Sequence, residues 1–459
     1  MNYKVRAIFG LCLALLGFGA GVFNCGAIHI TINGLGKVSP NLDGVELPEG
    51  KIYNLRATPA PGYALDGWRF EDGTKLRTVI LRIRQRDGTL YQVFNDGYEE
   101  ALPGDTIEVD FVPSPFLTRK GSYIGANDVG GANFSLNLTD NGTYSGSLRL
   151  GSKRYSFSGL LFADGTGSST IRTTANDFFV VSLSLSLNGP PDMLSVFALF
   201  LNNSSVGMLG ERITFNARSN PATQFAGKYT LILTDESADE SELLFGDSYA
   251  TLTVDLSGNV RAVGRLADGV PFTSSTPVFE DGNWPFFFSA SGGADRVGGW
   301  PPIFSPSMDL GNLPIWYHKP KPGEPSYPEA FGMSQTAVAS RYQSPTNAAD
   351  RILSLTNFVL RLGGGPMQPF SSAATLTSSG KVIDNSSNGL SVAFQPNTGL
   401  FTGRVRSPDN NRAISFQGVV LQEQDKGAGF FIDQNHSGRA TLGPPVQFTR
   451  SSPGSASPK

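Results

Sequence analysis

Three histidines, His29, His318 and His436, stand far apart in the chain. A histidine-ligated metal would need two or three of them gathered from separate modules; single surface histidines are the simpler reading. The nearest approach to a nucleophile elbow is Gly246-Asp247-Ser248-Tyr249-Ala250. An elbow needs a second glycine and a turn from strand into helix. This segment lacks that glycine and leads into the strand-like run Ala250 to Leu256, so a turn into a strand explains it. Triads assemble from distant positions, and a divergent hydrolase therefore stays open as a third reading. Glycosidases need two carboxylates at fixed separation. The densest acidic cluster, Asp235, Glu236, Asp239, Glu240 and Glu242, sits in a polar stretch where nothing apolar desolvates one member to raise its pKa. A solvated loop or a weak calcium site are its two readings. Asp433-x-Asn435-x-Ser437-Gly438 begins like a calcium loop, but Pro444 stands where the twelfth position needs a carboxylate.

Aromatic residues give the alternative binding chemistry. Trp284, Trp300 and Trp316, with Tyr317 and Tyr327, are the candidate glycan-binding residues, as an aromatic platform for sugar rings. The competing reading is core or turn packing, since aromatics beside Gly and Pro in β modules commonly fill the interior. No pattern in the chain calls for a cofactor or a metal.

The elements that must position these residues are strands. The phrase Gly142-Thr143-Tyr144-Ser145-Gly146, then Tyr155 to Leu161, returns as Gly399-Leu400-Phe401-Thr402-Gly403, then Ile414 to Val420. A weaker third copy runs from Gly258 through Gly264 to Phe272. Glycines, aromatics and small hydroxyls at this spacing make a strand-turn-strand unit. Val181 to Leu187 alternates aliphatic and serine without a break, as a strand with one buried and one wet face requires. Gly and Pro together contribute 84 of 459 residues, without any collagen period, which fits many short strands joined by turns. The expected fold class is all-β: tandem antiparallel β-sandwich or barrel-like modules after a small β-rich N-terminal repeat domain.

Residues 1–27 read as a secretory signal peptide, with Lys4 and Arg6 before an apolar stretch from Ala7 to Phe23 and a small-residue cleavage site at Cys25-Gly26-Ala27. Cys12 and Cys25 fall inside it, so the mature chain would hold no disulfide, thiol nucleophile or cysteine-ligated metal. Lipidation of Cys25 is the rival, against which stands the bulky Asn24 before it. No other segment is apolar for the length of a membrane helix. Without the leader the net charge falls from −3 to about −5, which disfavours nucleic acid as a partner. The cations Arg82, Arg84 and Arg86 alternate onto one strand face, read as a solvated outer face.

The modules expected are 28–114, then 115–219, 220–343 and 344–447, with a flexible tail at 448–459. In the first, the order Gly34-x-Gly36-x-Val38-x-Pro40, Gly50-x-x-Tyr53-x-Leu55-x-Ala57-x-Pro59, Pro61-Gly62-Tyr63 and Gly67-Trp68, closed by Thr106 to Pro113, resembles the divergent internalin B-repeat domain. The modules after it, through Leu266-Ala267-Asp268-Gly269, Asn283-Trp284-Pro285 and Phe416 to Gln422, resemble tandem β modules of secreted bacterial proteins. The resemblance implies a spacer or adhesion-like role and carries over no catalytic residue. The expected function is a secreted or cell-surface, non-enzymatic structural or adhesion-type protein, with a carbohydrate-binding protein as the alternative. Its expected partner is an extracellular glycan or a surface protein; the sequence leaves the oligomeric state open.

Overall fold

The computed structural model describes residues 29–45, 52–70, 75–76, 79–86, 89–93, 99–101, 106–127, 131–174, 177–189, 192–235, 246–290, 295–301, 315–318, 331–346, 350–364, 367–433 and 436–445. At 70, 290, 295, 315–318, 331 and throughout 75–101 only the backbone is described. The expected signal peptide and most of the acidic cluster, Glu236 to Glu242, lie outside the described residues. The fold is all-β: among the described residues every regular element is a strand except one 3-10 turn at Gln422–Gln424. The chain divides into two compact units, Met1–Ser114 and Pro115–Lys459.

Among the described residues the first unit has nine strands: β1 His29–Asn33, β2 Gly36–Ser39, β3 Ile52–Pro59, β4 Tyr63–Phe70, β5 Lys75–Leu76, β6 Val79–Arg86, β7 Thr89–Val93, β8 Glu99–Ala101 and β9 Thr106–Pro113. They form two sheets, β1-β9-β4-β5 and β2-β3-β6-β7-β8. The first strand runs parallel to the last, which ties the ends of the unit together. Trp68, Leu65, Ile107 and Val109 are buried because β4 and β9 turn alternate apolar residues to one face. Arg82, Arg84 and Arg86 lie on β6, where side chains are not described.

In the second unit, β10 Gly121–Ala126, β11 Ala132–Leu138, β12 Thr143–Leu150, β13 Lys153–Leu160, β14 Thr166–Arg172, β15 Phe178–Leu185, β16 Met193–Phe200 and β17 Ser205–Arg212 make the first barrel. Each strand pairs with its sequence neighbour, and β10 pairs with β17, so the ring is closed except at a seam between β13 and β14. Phe179, Val181, Leu183 and Leu185 fill the interior while Ser184 faces out, as the alternation predicts.

The middle module follows: β18 Gly227–Thr234, β19 Ser248–Val254, β20 Asn259–Arg265, β21 Pro271–Pro277, β22 Phe286–Ala290, β23 Asp295–Gly299, β24 Ile315–His318, β25 Phe331–Ser334 and β26 Thr336–Arg341. It holds two sheets, β21-β20-β19-β18-β26 and β22-β23-β24-β25. Strand β18 is buried on both faces. One face meets the aromatics of the second sheet. The other meets the outside of the next barrel through Val419, Leu421, Ala428 and Phe430, so all of them share one core.

That second barrel comprises β27 Asn357–Gly364, β28 Met367–Leu376, β29 Val382–Asp384, β30 Ser391–Gln395, β31 Leu400–Arg406, β32 Ala413–Leu421, β33 Lys426–Asp433 and β34 His436–Gly443. It too is a meander closed by its first and last strands, here β27 and β34, with its seam between β29 and β30.

The repeated phrase is the hairpin β12–β13 in one barrel and β31–β32 in the other. Each hairpin opens on a glycine of positive φ, Gly142 at 85° and Gly399 at 76°, and the weaker copy opens on Gly258 at 78°. Their carbonyls accept the N–H of Leu161, Val420 and Val278, each at 2.8 Å, so the start of the first strand is pinned to the end of the second. An aromatic that enters the module lies against each glycine. A Cβ there would fall 2.8 Å from Phe116, 2.7 Å from Tyr342 and 3.0 Å from Phe215. Glycine is required twice over: for the left-handed backbone and for the ring.

Candidate functional site

Within each hairpin an aromatic faces a glycine across the ladder in both directions. Tyr144 is opposite Gly159 and Phe157 opposite Gly146; in the second barrel Phe401 is opposite Gly418 and Phe416 opposite Gly403. The rings take the space that side chains at the glycines would occupy: a Cβ at Gly403 would lie 2.1 Å from Phe416, one at Gly418 2.6 Å from Phe401. All four rings point inward and are buried. The alternate residues of the same strands therefore point outward, and they are small and polar. In the third copy the register places Val260 and Ala262 where the other copies have aromatic and glycine, with Ser274 opposite Ala262, so that copy lacks the crossed pairs.

Small outward residues leave a depression. On the first barrel it is a trough of about 770 Å³, lined by Ser135, Asn137, Ser145, Ser147, Arg154, Ser156 and Ser158 on β11 to β13. The hydroxyls are linked: Ser135 Oγ lies 3.1 Å from Ser147 Oγ, and Arg154 Nη2 donates to Ser147 Oγ at 3.0 Å. Ser122 Oγ donates to Asn137 Oδ1 at 2.5 Å. On the second barrel a trough of about 490 Å³ is lined by Ser391, Ala393, Thr402, Ser415 and Gln417 on β30 to β32. The ladders superpose the two: Ser147 pairs with Ser135 and Ser156 as Arg404 pairs with Ser391 and Ser415. Among the described residues no carboxylate lines either trough. Hydroxyl and amide groups, half satisfied among themselves and open to solvent, can exchange hydrogen bonds with a polar ligand. They offer no buried base to activate a nucleophile.

The residues singled out in the sequence fall elsewhere. Trp284 is fully buried, and Trp300 is buried and stacked on Phe279 with ring centroids 5.7 Å apart. Neither ring presents a face to solvent, which corrects the expectation of an exposed platform at these two positions. The physical reason is that the two sheets of the middle module need bulky rings between them, and Trp284 packs on Phe286 at 4.9 Å to supply one. Trp316 lies on β24, where the backbone alone is described, and Tyr327 lies outside the described residues.

Ser248 is buried at the start of β19, its Oγ accepting the N–H of Ala267 at 2.9 Å. Beside it Asp247 accepts from Arg439 Nε at 2.9 Å and Thr234 Oγ1 at 2.7 Å. Burial pushes the Asp247 carboxyl up, and the Arg439 guanidinium pulls against that shift. Arg439 also donates to the carbonyl of Asp235 at 2.8 Å, and Ser437 Oγ donates to that of Ala267 at 2.6 Å. The elbow-like segment is thus a clamp between the middle module and the second barrel. Its partners stand 192 residues apart, a spacing no local motif reveals.

His29 forms an exposed contact with Asp43 at 3.5 Å. Asp433 pairs with Arg412 at 2.8 Å at a hairpin end, opposite His436. Among the described residues no group of three or more His, Cys, Asp or Glu side chains is arranged to hold a metal. No described helix is long and apolar enough to cross a membrane.

No family model matches the chain, and no curated protein matches it. Among solved structures it is similar to intact Ap-TbpB with its N and C lobes, at 9% identity over 84% of this chain and 94% of that one, with a TM-score of 0.18. It is also similar to a double mutant of the vaccine antigen transferrin binding protein B from Haemophilus parasuis, at 8% identity over 89% and 84% of the two chains, with a TM-score of 0.19. A third is a DUF3598-family protein of unknown function from Nostoc punctiforme, at 11% identity over 70% and 93%, with a TM-score of 0.14.

Proposed function

We propose that this chain is a secreted or cell-surface, non-enzymatic adhesion-type protein that binds a polar extracellular ligand in the outer troughs of its two barrels. The N-terminal unit, with its internalin B-repeat-like order, acts as a spacer. The observation that carries this reading is the recurrence of one hydroxyl-lined trough on the same hairpin of two barrels. A wet outer face alone would not call for small hydroxyls at three matching register positions, Ser135 with Ser391, Ser145 with Thr402 and Ser156 with Ser415, where lysine and glutamate serve solubility better. The burial of Ser248 and Asp247 in a structural clamp supports the non-enzymatic part.

The test is binding of the full chain to a glycan array, with Ser145→Trp and Thr402→Trp as variants that fill the troughs from exposed positions. Binding by the natural chain, lost when both troughs are filled, is the expected result. Binding indifferent to both substitutions places the ligand elsewhere. Turnover of ester, glycoside or peptide substrates that a single serine or aspartate substitution abolishes would overturn the non-enzymatic reading.

A further inference from the structure

We propose that the two troughs are equivalent subsites for an acidic carbohydrate chain, whose anionic groups meet Arg154 on the first barrel and Arg404 on the second. The inference rests on the trough reading above and adds the charge of the ligand.

Its basis is a combination found twice by different means. Arg154 enters the first trough from the second strand of its hairpin and touches Ser147. The register position of Arg154 is held in the second barrel by Ala413, while that of Ser147 is held by Arg404. The arginine has changed strands: Arg404 is not itself in the lining of the second trough, but it is exposed and is the register partner of Ser391 and Ser415, which are. Both arginines are exposed and on the outer face. Several other arginines are spoken for: Arg69 by Asp110, Arg212 by Asp192, Arg412 by Asp433 and Arg439 by Asp247. Among the described residues no ion pair joins Arg154 or Arg404 to a carboxylate, in a chain whose acidic groups outnumber its basic ones.

A planar guanidinium recognises a carboxylate or sulfate through paired N–H donors. The flanking serines, able both to donate and to accept, match the hydroxyls of a sugar ring. A nucleic acid fits less well, since Phe157 and Phe416 point into the barrels and leave no exposed ring in the linings on which a base could stack. Each site is shallow and solvent-screened, so a single contact is weak. Two sites on one chain favour a long polymer that reaches both over a short oligomer.

The experiment measures retention of the full chain on immobilised polygalacturonate, dextran sulfate, neutral dextran and oligo(dT). The expected result is binding to one or both acidic polysaccharides, with the stronger one identifying carboxylate or sulfate as the anionic group. Arg154→Gln and Arg404→Gln should each weaken it about threefold, and together by about tenfold. Raising salt from about 0.05 M to about 0.5 M should weaken it further. Both positions are exposed, so thermal unfolding of the variants should match that of the natural chain. Dextran held as tightly as the acidic polymers would overturn the charge while leaving the trough reading intact. Indifference to the double substitution, equal retention on oligo(dT), or no retention on either acidic polymer would each overturn the proposal.

Discussion

The two barrels share a hairpin whose first buried aromatic differs by one atom: Tyr144 in the first stands where Phe401 stands in the second. In the first barrel β13 borders the open seam. Tyr144 passes over Gly159, and its hydroxyl lies 2.8 Å from Ser169 Oγ, which in turn donates to the carbonyl of Ser158 at 2.8 Å. Ser169 belongs to β14, so this chain of hydroxyls bridges a gap that no ladder spans. In the second barrel the seam lies on the other side of the hairpin, between β29 and β30, and β32 is fully paired with β33. Nothing there needs a latch, and a phenylalanine fills the space. A hydroxyl appears in this pair of positions only where the backbone leaves polar groups to satisfy.

The barrels also differ in how they meet the middle module. The second is fastened by an apolar face and the Asp247–Arg439 clamp. The first presents Glu211, buried on β17, to the carboxylates of Asp281 and Glu280. Burial raises the Glu211 carboxyl to about 7, with those two charges adding to the shift. Phe197, Leu199 and Leu209 on the outside of the first barrel stay exposed. One joint is built from complementary charge and apolar contact; the other sets Arg149 over the Phe287 ring at 5.8 Å and also holds carboxylates that repel when ionised.

The largest expected effect breaks the stronger joint. Asp247→Ala leaves Arg439 partly buried without its counter-ion and should destabilise the middle module and second barrel by about 3–5 kcal/mol. Tryptophan fluorescence in a denaturant titration checks it, because Trp284 lies in that shared interior. An unchanged midpoint would mean that the clamp is ornamental.

Exchanging the two aromatics sharpens the comparison of hairpins. Phe401→Tyr puts a hydroxyl against a fully paired β33 and should cost about 1–3 kcal/mol, whereas Tyr144→Phe removes the latch for about 1 kcal/mol. Equal costs would show that the seam plays no part in the choice.

Glu211→Gln tests the weaker joint. Because the folded pKa is raised, the fold binds this proton more tightly than the unfolded chain does, and stability is full below the ordinary carboxylate range. It is lost as pH rises through about 7. The natural chain should therefore be less stable at pH 8 than at pH 5 by on the order of 2 kcal/mol from this group, and the glutamine variant should flatten that slope. A slope unchanged by the substitution would assign the pH dependence to other groups.

The local sequence determined the strand class, the alternation that starts at Val181 and the repeated hairpin. These follow from the period of two along a strand and from glycines that alone tolerate a positive φ beside a ring. The troughs were latent in the same phrase: its serines occupy the positions that alternate with buried aromatics, and their register sets them side by side. Trp284 and Trp300 misled because a tryptophan beside proline or glycine reads the same whether it faces a ligand or a facing sheet. Only the tertiary structure decided that. It alone brought Arg439 to Asp247, set the seams on opposite sides of the two hairpins, and placed Arg154 and Arg404 beside equivalent serines. Local residues fix what a strand shows on each face, while ring closure and inter-module packing fix which of those faces water still reaches.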